Sequence, residues 1–426
     1  MMKSEYFDGF LQMVYFDSII MLLLSFTSAG KNILYTMYSN YGFNTLASLQ
    51  YVCNYLFGPM MLLVVDKIIE SVNFKKIFII SSFNLNIFLV GGILVAGCQE
   101  QCSKALVETI TVITSLIAGV LQTIFYVSFV AYINFMCNNS NRELFFGISF
   151  SFTSMSNILS NIIGYYLNQY FDIFTFYIII VIISIILQAL FFCIRDNKIQ
   201  KKREARSMLE EIKYQLLALY KQISFKKYCL FLGVLIFAGL MNSVIYLFIP
   251  VLVQKLGFQE SELYNKIFIT FLITGIGQVI GGITAGKLSE RFKENYVLYF
   301  SFLINFIGIL LSQIGNTNNN YLLTLFGCAL IGYSDSSISS LALIVITKQI
   351  STKNHAFAGY NLCQSLGFGL SSIWWAIFNE KSLLYDFSYL YITTFLTLIS
   401  FIIYNQYLLK EGQTIQKDQI KFVNST

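Results

Sequence analysis

The stretch GGITAGKLSERFK, residues 281–293, is where residue types and spacing first suggest chemistry. Gly281 to Lys287 fits G-x-x-x-x-G-K, most of a loop whose backbone N–H groups cradle phosphates while its lysine meets the terminal ones. A working loop of that kind needs a strand before it and Ser or Thr after the lysine to hold magnesium. Here a long apolar run precedes it and Leu288 follows Lys287, so both conditions fail and no nucleotide partner is expected. The glycines have another use. Gly277 with Gly281, and Gly282 with Gly286, are spaced to put small residues on one helical face, where a neighbouring helix can approach closely.

Other familiar chemistries lack their residues. His355 is the single histidine, which excludes a His-based triad and most histidine-rich metal sites. There is no G-x-S-x-G elbow and no C-x-x-C, so neither an enzyme, a metal centre nor a cofactor is expected. Five of the eight cysteines, Cys53, Cys193, Cys229, Cys328 and Cys363, sit inside apolar runs and read as packing residues. Cys98 and Cys102 differ, because they flank the polar loop GCQEQC; that spacing leaves a bridge and a free pair both open.

What remains are polar and ionisable groups inside apolar runs: Asp335 among Ser334, Ser336 and Ser337, then Asp17, Asn242 with Ser243, Glu108 and Lys31. Such groups are costly in a bilayer and face the interior of a bundle. Asp335 is the leading candidate. It reads as a proton-coupling or cation-binding carboxylate, or as a structural carboxylate bonded to the hydroxyls beside it. Asp17 lies nearer the interface, where water reaches.

The elements that must position these residues follow from composition. The 426 residues are 56% hydrophobic, with mean hydropathy +0.66 and 12% charged, against about 25% charged in ordinary soluble domains. That describes an all-α integral membrane protein. Twelve runs are long enough to cross a bilayer: 11–30, 43–65, 77–96, 105–134, 145–168, 170–194, 228–253, 266–286, 295–315, 321–347, 356–378 and 387–408. They are too long and too evenly apolar for β-barrel strands. The opening MMKSEYFDGF carries two acids and does not resemble the basic start of a signal peptide. With both termini cytoplasmic, 23 of the 28 Lys and Arg residues fall inside and 5 outside, so the net charge of +6 is a topology signal and not a sign of nucleic-acid binding. The membrane is the expected partner, with plasma and internal membranes both open. Cys98 and Cys102 then face outside, where disulfides persist. Lys31 and Glu108 fall at the outer mouth, where their predicted depth lets them pair. The sequons at Asn138 and Asn424 fall inside, where neither is expected to be glycosylated.

The one long polar connection, 195–227, divides the chain into a first half (1–194) and a second half (228–408), followed by a cytoplasmic tail (409–426). Within it Leu209, Ile212, Leu216 and Ile223 recur at helical spacing. A basic amphipathic helix on the cytoplasmic face is expected, bracing the halves against the headgroups or serving as a regulatory target helix. The halves also share a feature. Asp66-Lys67 and Glu290-Arg291 both follow the second span of their half, and such internal duplication suits a transporter built from repeats.

These residues resemble the major facilitator superfamily, which carries G-x-x-x-D-R-x-G-R in this connection. Gly286, Glu290 and Arg291, with Lys293 beyond, match it with Glu for Asp. The first half departs, having Leu62 where the glycine would stand and keeping Asp66 and Lys67. The resemblance implies a twelve-helix fold in two six-helix halves. It also implies a charged latch at these residues, and a central cavity lined by spans one, four, seven and ten. Those are the spans that hold Asp17 and Lys31, Glu108, Asn242, and Asp335 with Ser336. A narrower resemblance is to the Unc-93-like, uncoordinated-type ion-channel regulators. It rests on Gly42, Leu46, Ala47, Leu49 and Pro59, on GYSDSS at 332–337, and on Gly147, Ser156 and Asn161, with Ser334, Phe150 and Ser154 departing from that pattern. The superfamily implies secondary transport of a small solute or ion. The branch implies instead a partner that regulates a channel or escorts a receptor.

Overall fold

A chain this apolar must satisfy its backbone N–H and C=O groups internally, and helices do so within each segment. The computed structural model describes residues 2–98, 102–136, 142–195, 208–349, 353–378 and 382–425. Among them fifteen α-helices follow one another, and there is no strand. The first seven are α1 (Met2–Asn40), α2 (Leu46–Phe57), α3 (Val65–Ser71), α4 (Phe74–Cys98), α5 (Lys104–Met136), α6 (Arg142–Tyr170) and α7 (Ile173–Ala189). Then come α8 (Met208–Ser224), α9 (Lys226–Ser243), α10 (Ile249–Gln254), α11 (Glu260–Arg291), α12 (Glu294–Thr317), α13 (Tyr321–Gln349), α14 (Lys353–Phe378) and α15 (Leu383–Ser425).

Ten stretches among the described residues are long and apolar enough to cross a membrane. The helices α6 and α14 are of similar length but are not among those ten. Their sequences explain the difference. Ser149, Ser156, Asn157, Ser160 and Asn161 interrupt α6, and Ser371 and Ser372 interrupt α14. On one side α6 packs against α1 and α11, and α14 against α9 and α2, while Met155, Ile162 and Tyr166 of α6 and Leu366, Leu370 and Ile377 of α14 stay exposed. A broader lipid-type surface lies on other helices. Exposed apolar side chains recur at helical spacing on α7 (Ile182, Ile185, Ile186), α12 (Phe300, Leu303, Phe306, Ile307, Leu310) and α15 (Ile392, Phe395, Leu396, Ile399, Ile403).

The two prolines mark the two interruptions that the periodicity did not foresee. The run expected as one span over 43–65 breaks where Pro59 enters a 3-10 turn, Gly58–Leu63, between α2 and α3. The run expected over 228–253 contains a π-turn, Val244–Phe248, just before Pro250. A proline lacks its N–H, and its ring crowds the carbonyl four residues back, here that of Tyr246. The widened turn accommodates that carbonyl, and such turns occur often at functional sites. A third difference is α15, which continues past residue 408 to Ser425.

Of the expected connecting helix, residues 196–207 lie outside the described ones and the remainder forms α8. It rests on α9, α14 and the 3-10 turn at Gly58–Leu63, with Gln215 buried and Leu216, Leu217 and Tyr220 exposed. The side chains of Leu209 and Ile223 lie outside the description.

Two apolar cores result. One, from Met13 to Ile194, is confined to the first half. The other joins residues of the first half, such as Ile33, Tyr38, Phe88 and Tyr177, to the second half. The halves therefore share a core toward the end that carries Gly42 and Cys98. At the opposite end the first half keeps its own. The sulfurs of Cys98 and Cys102 are bonded at that shared end. Close by, Lys104 Nζ donates to the Gly42 carbonyl at 3.0 Å.

Candidate functional site

Asp335 stands midway along α13, where glycines let α11 come close. A Cβ on Gly277 would strike the Ala329 carbonyl oxygen, and one on Gly281 the Tyr333 carbonyl oxygen. These glycines therefore serve helix packing, and residues 281–287 lie inside the continuous helix α11. Gly282 would meet the Ser336 hydroxyl, whereas a Cβ on Gly286 would meet nothing within 4 Å. The expected second close approach therefore stops at Gly282.

Because α11 is so near, Gln278 reaches Asp335: its Nε2 donates to Oδ2 at 2.9 Å. Asp335 is 4% exposed, and its Oδ1 has no hydrogen-bond partner among the described residues. The hydroxyls beside it are engaged elsewhere. Ser334 donates to Asn305 Oδ1 at 2.9 Å, and Ser337 pairs with Ser301 at 2.6 Å. The reading of Asp335 as a carboxylate held by its neighbouring serines is therefore corrected: its partner comes from another helix.

That partner belongs to a relay crossing between the halves. Asn157 Nδ2 on α6 donates to Gln278 Oε1 at 3.2 Å. One turn along, Asn161 Nδ2 donates to the Asn157 carbonyl at 2.6 Å, and Asn32 Nδ2 on α1 donates to Asn161 Oδ1 at 2.7 Å. Two further pairs join the halves toward the end bearing Gly42: Asn168 Nδ2 to Asn265 Oδ1 at 3.2 Å, and Asn40 Nδ2 to the Tyr264 hydroxyl at 3.2 Å.

Aromatic rings cluster around Tyr246 on the π-turn, which lies 6.4 Å from Phe271 and 6.3 Å from Phe368. Tyr55 stacks on Phe368 at 3.9 Å across the boundary between halves, and Tyr51 lies 6.1 Å from Tyr246 and 5.2 Å from Phe88.

The other expected site residues are dispersed. Asp17 is enclosed between α1 and α6, where Ser149 Oγ donates to its Oδ2 at 2.7 Å and its Oδ1 has no partner. Asn242 donates to the Ala238 carbonyl at 3.3 Å one turn before the π-segment, and Ser243 next to it bonds Ser371 on α14. Lys31 does not meet Glu108; its Nζ lies over the Phe88 ring at 4.8 Å. Ser336 is half-buried beside Gly282. Of the latch residues, Arg291 is exposed and Lys67 half-buried, and the side chains of Asp66 and Glu290 lie outside the description, as does that of His355. Asn138 is outside the described residues and the side chain of Asn424 outside the description.

Sequence reasoning passed over Gln278, Asn157 and Asn32. Their signal was an amide inside an apolar run, weaker than a charge. It also passed over Asp386, 4% exposed, with Oδ1 unpartnered and Lys255 nearby. Asp386 falls one residue before the span expected at 387–408, whereas α15 begins at Leu383.

A bundle of long apolar helices with a carboxylate buried inside it suits a multi-pass membrane protein. A profile of the Major Facilitator Superfamily matches residues 18–372, and the chain belongs to that family. No curated protein matches it in sequence. Solved structures share its fold at low identity. A D-xylose–proton symporter has TM-score 0.71 at 13% identity, covering 94% of this chain and 97% of that one. The nucleoside transporter NupG has TM-score 0.67 at 13% identity, covering 93% and 98%. A bacterial homolog of the human lysosomal transporter Spinster, inward-facing and unoccupied, has TM-score 0.60 at 12% identity, covering 95% and 97%.

Proposed function

We propose that this integral membrane protein is a secondary transporter that carries a small solute by alternating access, binding it beside Asp335. The observation carrying this reading is the unpartnered Oδ1 of a 4% exposed carboxylate whose partner Gln278 is in turn bonded by Asn157 of the first half. A buried polar atom without a partner costs about 1–3 kcal/mol, a cost that a bound ligand or proton removes. In this reading α6 and α14 complete twelve spans in two six-helix halves, 1–194 and 228–408, with both termini cytoplasmic. Asp66, Lys67, Gly286, Glu290 and Arg291 act as the cytoplasmic latch, and α8 lies against the headgroups with Leu216, Leu217 and Tyr220 toward lipid. The relay from Asp335 to Asn32 supports a site whose occupancy is felt by both halves. Uptake of labelled glucose, uridine and tetraethylammonium into vesicles holding the purified chain tests the proposal. Saturable uptake of one of them, lost in Asp335→Asn, supports it; no saturable uptake of any overturns it.

The Unc-93-like reading rests on GYSDSS at 332–337, the segment that contains Asp335. It would make the chain a channel or receptor partner, and a channel co-purifying with a chain that moves no solute would favour it.

A further inference from the structure

We infer that the Cys98–Cys102 disulfide is a redox-sensitive clasp: through Lys104 it fixes the turn between α1 and α2, and with that turn the contact of the halves at their shared end. The bond joins the last residue of α4 to the residue two before α5. Lys104 opens α5, an awkward start for a helix. The first turn carries unpaired N–H groups and the positive end of the dipole, so a cation there is disfavoured and the turn frays unless it is held. Two things hold it. The disulfide tethers the chain just before it, and the ammonium reaches across to the α1–α2 turn. Lys104 Nζ donates to the Gly42 carbonyl at 3.0 Å and lies 5.6 Å from the centre of the Phe43 ring.

The turn so gripped is short and touches both halves. Gly42 has φ +78°, a left-handed conformation that few side chains tolerate. Within the turn the N–H of Tyr41 donates to the Met37 carbonyl at 3.2 Å, that of Gly42 to Ser39 at 3.1 Å and that of Phe43 to Tyr38 at 2.7 Å. Phe43 is buried in the core that joins the halves, and Asn40 Nδ2 reaches the Tyr264 hydroxyl of the second half at 3.2 Å. What loosens Lys104 therefore loosens a turn that the second half also holds. The disulfide is open to such loosening. Cys98 and Cys102 are half-buried and lie beside exposed Gly97 and Ser103, where a small thiol reaches them. A dithiol passes two electrons and two protons to the sulfurs, giving two cysteine thiols and leaving as its own cyclic disulfide.

Hydrogen–deuterium exchange of the purified full chain, with and without dithiothreitol, tests the clasp, once the mass of the peptide holding Cys98 and Cys102 shows that the bond is closed before reduction and open after it. Reduction is expected to speed exchange of the amides in 37–46 between about 2-fold and 10-fold, the net value of one hydrogen bond. The helix α12, which packs on α13 and α15, is expected to keep its rate. Lys104→Met keeps the length of the side chain and removes the ammonium. It is expected to show the faster rate while still oxidised, with reduction adding less than about twofold. Cys98→Ser with Cys102→Ser is expected to match the reduced protein without any reductant. An unchanged rate in 37–46 on reduction overturns the inference, as does a pair of free thiols in the purified protein. An equal rise in α12 overturns it as general loosening, and a full response to dithiothreitol in Lys104→Met overturns it by taking Lys104 out of the path.

Discussion

Gln278 holds the position from which the relay can be taken apart most cleanly. Its amide makes one bond to Asp335 Oδ2 at 2.9 Å and accepts one from Asn157 Nδ2 at 3.2 Å. Gln278→Met keeps length and volume and removes both. Asp335 then has both carboxyl oxygens unpartnered, because Oδ1 already lacks a partner. Stranding a buried acceptor costs about 1–3 kcal/mol, and the Asn157 donor adds a share. Asp335→Leu removes the acceptor from the other side and strands the Gln278 donor. Each single change is therefore expected to lower stability by about 1–3 kcal/mol. In the double variant neither partner is left stranded by the other, so the costs do not add. An interaction energy of at least about 1 kcal/mol is expected, within the range that contacting pairs show. Thermal unfolding in detergent, followed by the fluorescence of Trp374 and Trp375, reads all four corners of the cycle. Costs that add within about 0.5 kcal/mol, as for independent sites, would refute the coupling.

Two further expectations test the packing and the surface. A side chain at Gly281 would drive into the Tyr333 backbone, so Gly281→Leu should cost about 1–3 kcal/mol or more by overpacking. Gly286→Ala enters open space and should leave the unfolding temperature unchanged or raised; equal damage from both would contradict the α11–α13 geometry. At the start of α7, Asp172 Oδ2 accepts from the backbone N–H groups of Phe174 and Thr175 at 3.1 and 3.2 Å, and Oδ1 accepts from the Thr175 hydroxyl at 2.6 Å. The Thr175 bonds hold its carboxyl below the ordinary value of 3.8. A depressed folded-state value means that the cap stabilises above the unfolded value and is lost as pH falls through the folded one. Asp172→Ala should therefore cost about 1 kcal/mol near neutral pH, and the difference from the unaltered chain should shrink below pH 3.8. A difference independent of pH would contradict it.

The parts of this fold that are local were readable from residue order. Apolar length located the helices, and the Gly277–Gly281 spacing located the close contact between α11 and α13. The two prolines explain the breaks at Gly58–Leu63 and Val244–Phe248 once the cost of each ring is considered, although a hydropathy window runs straight through both. Depth and partnership were harder to read. Asp386 is buried, yet a shift of four residues at one helix start, Leu383 against 387, placed it outside the membrane. Lys31 and Glu108 share a predicted depth, but Lys31 takes the Phe88 ring instead, because depth alone does not fix the direction in which a side chain leaves its helix. Asp335 was visible as a charge in an apolar run. Its amide partners were not, since an asparagine in a span signals little until a second helix brings another to it.

The central claim is that Asp335 lies in a site opened in turn to either side of the membrane. Ser336, next to it and half-buried, reports this directly. Ser336→Cys, in a chain whose cysteines other than the bonded Cys98 and Cys102 (Cys53, Cys137, Cys193, Cys229, Cys328 and Cys363) are replaced, is treated with an impermeant thiol reagent applied to one side at a time. Labelling from each side is the predicted result, as expected of a site between two rocking halves. Labelling from one side only, or from neither, would contradict alternating access at this position.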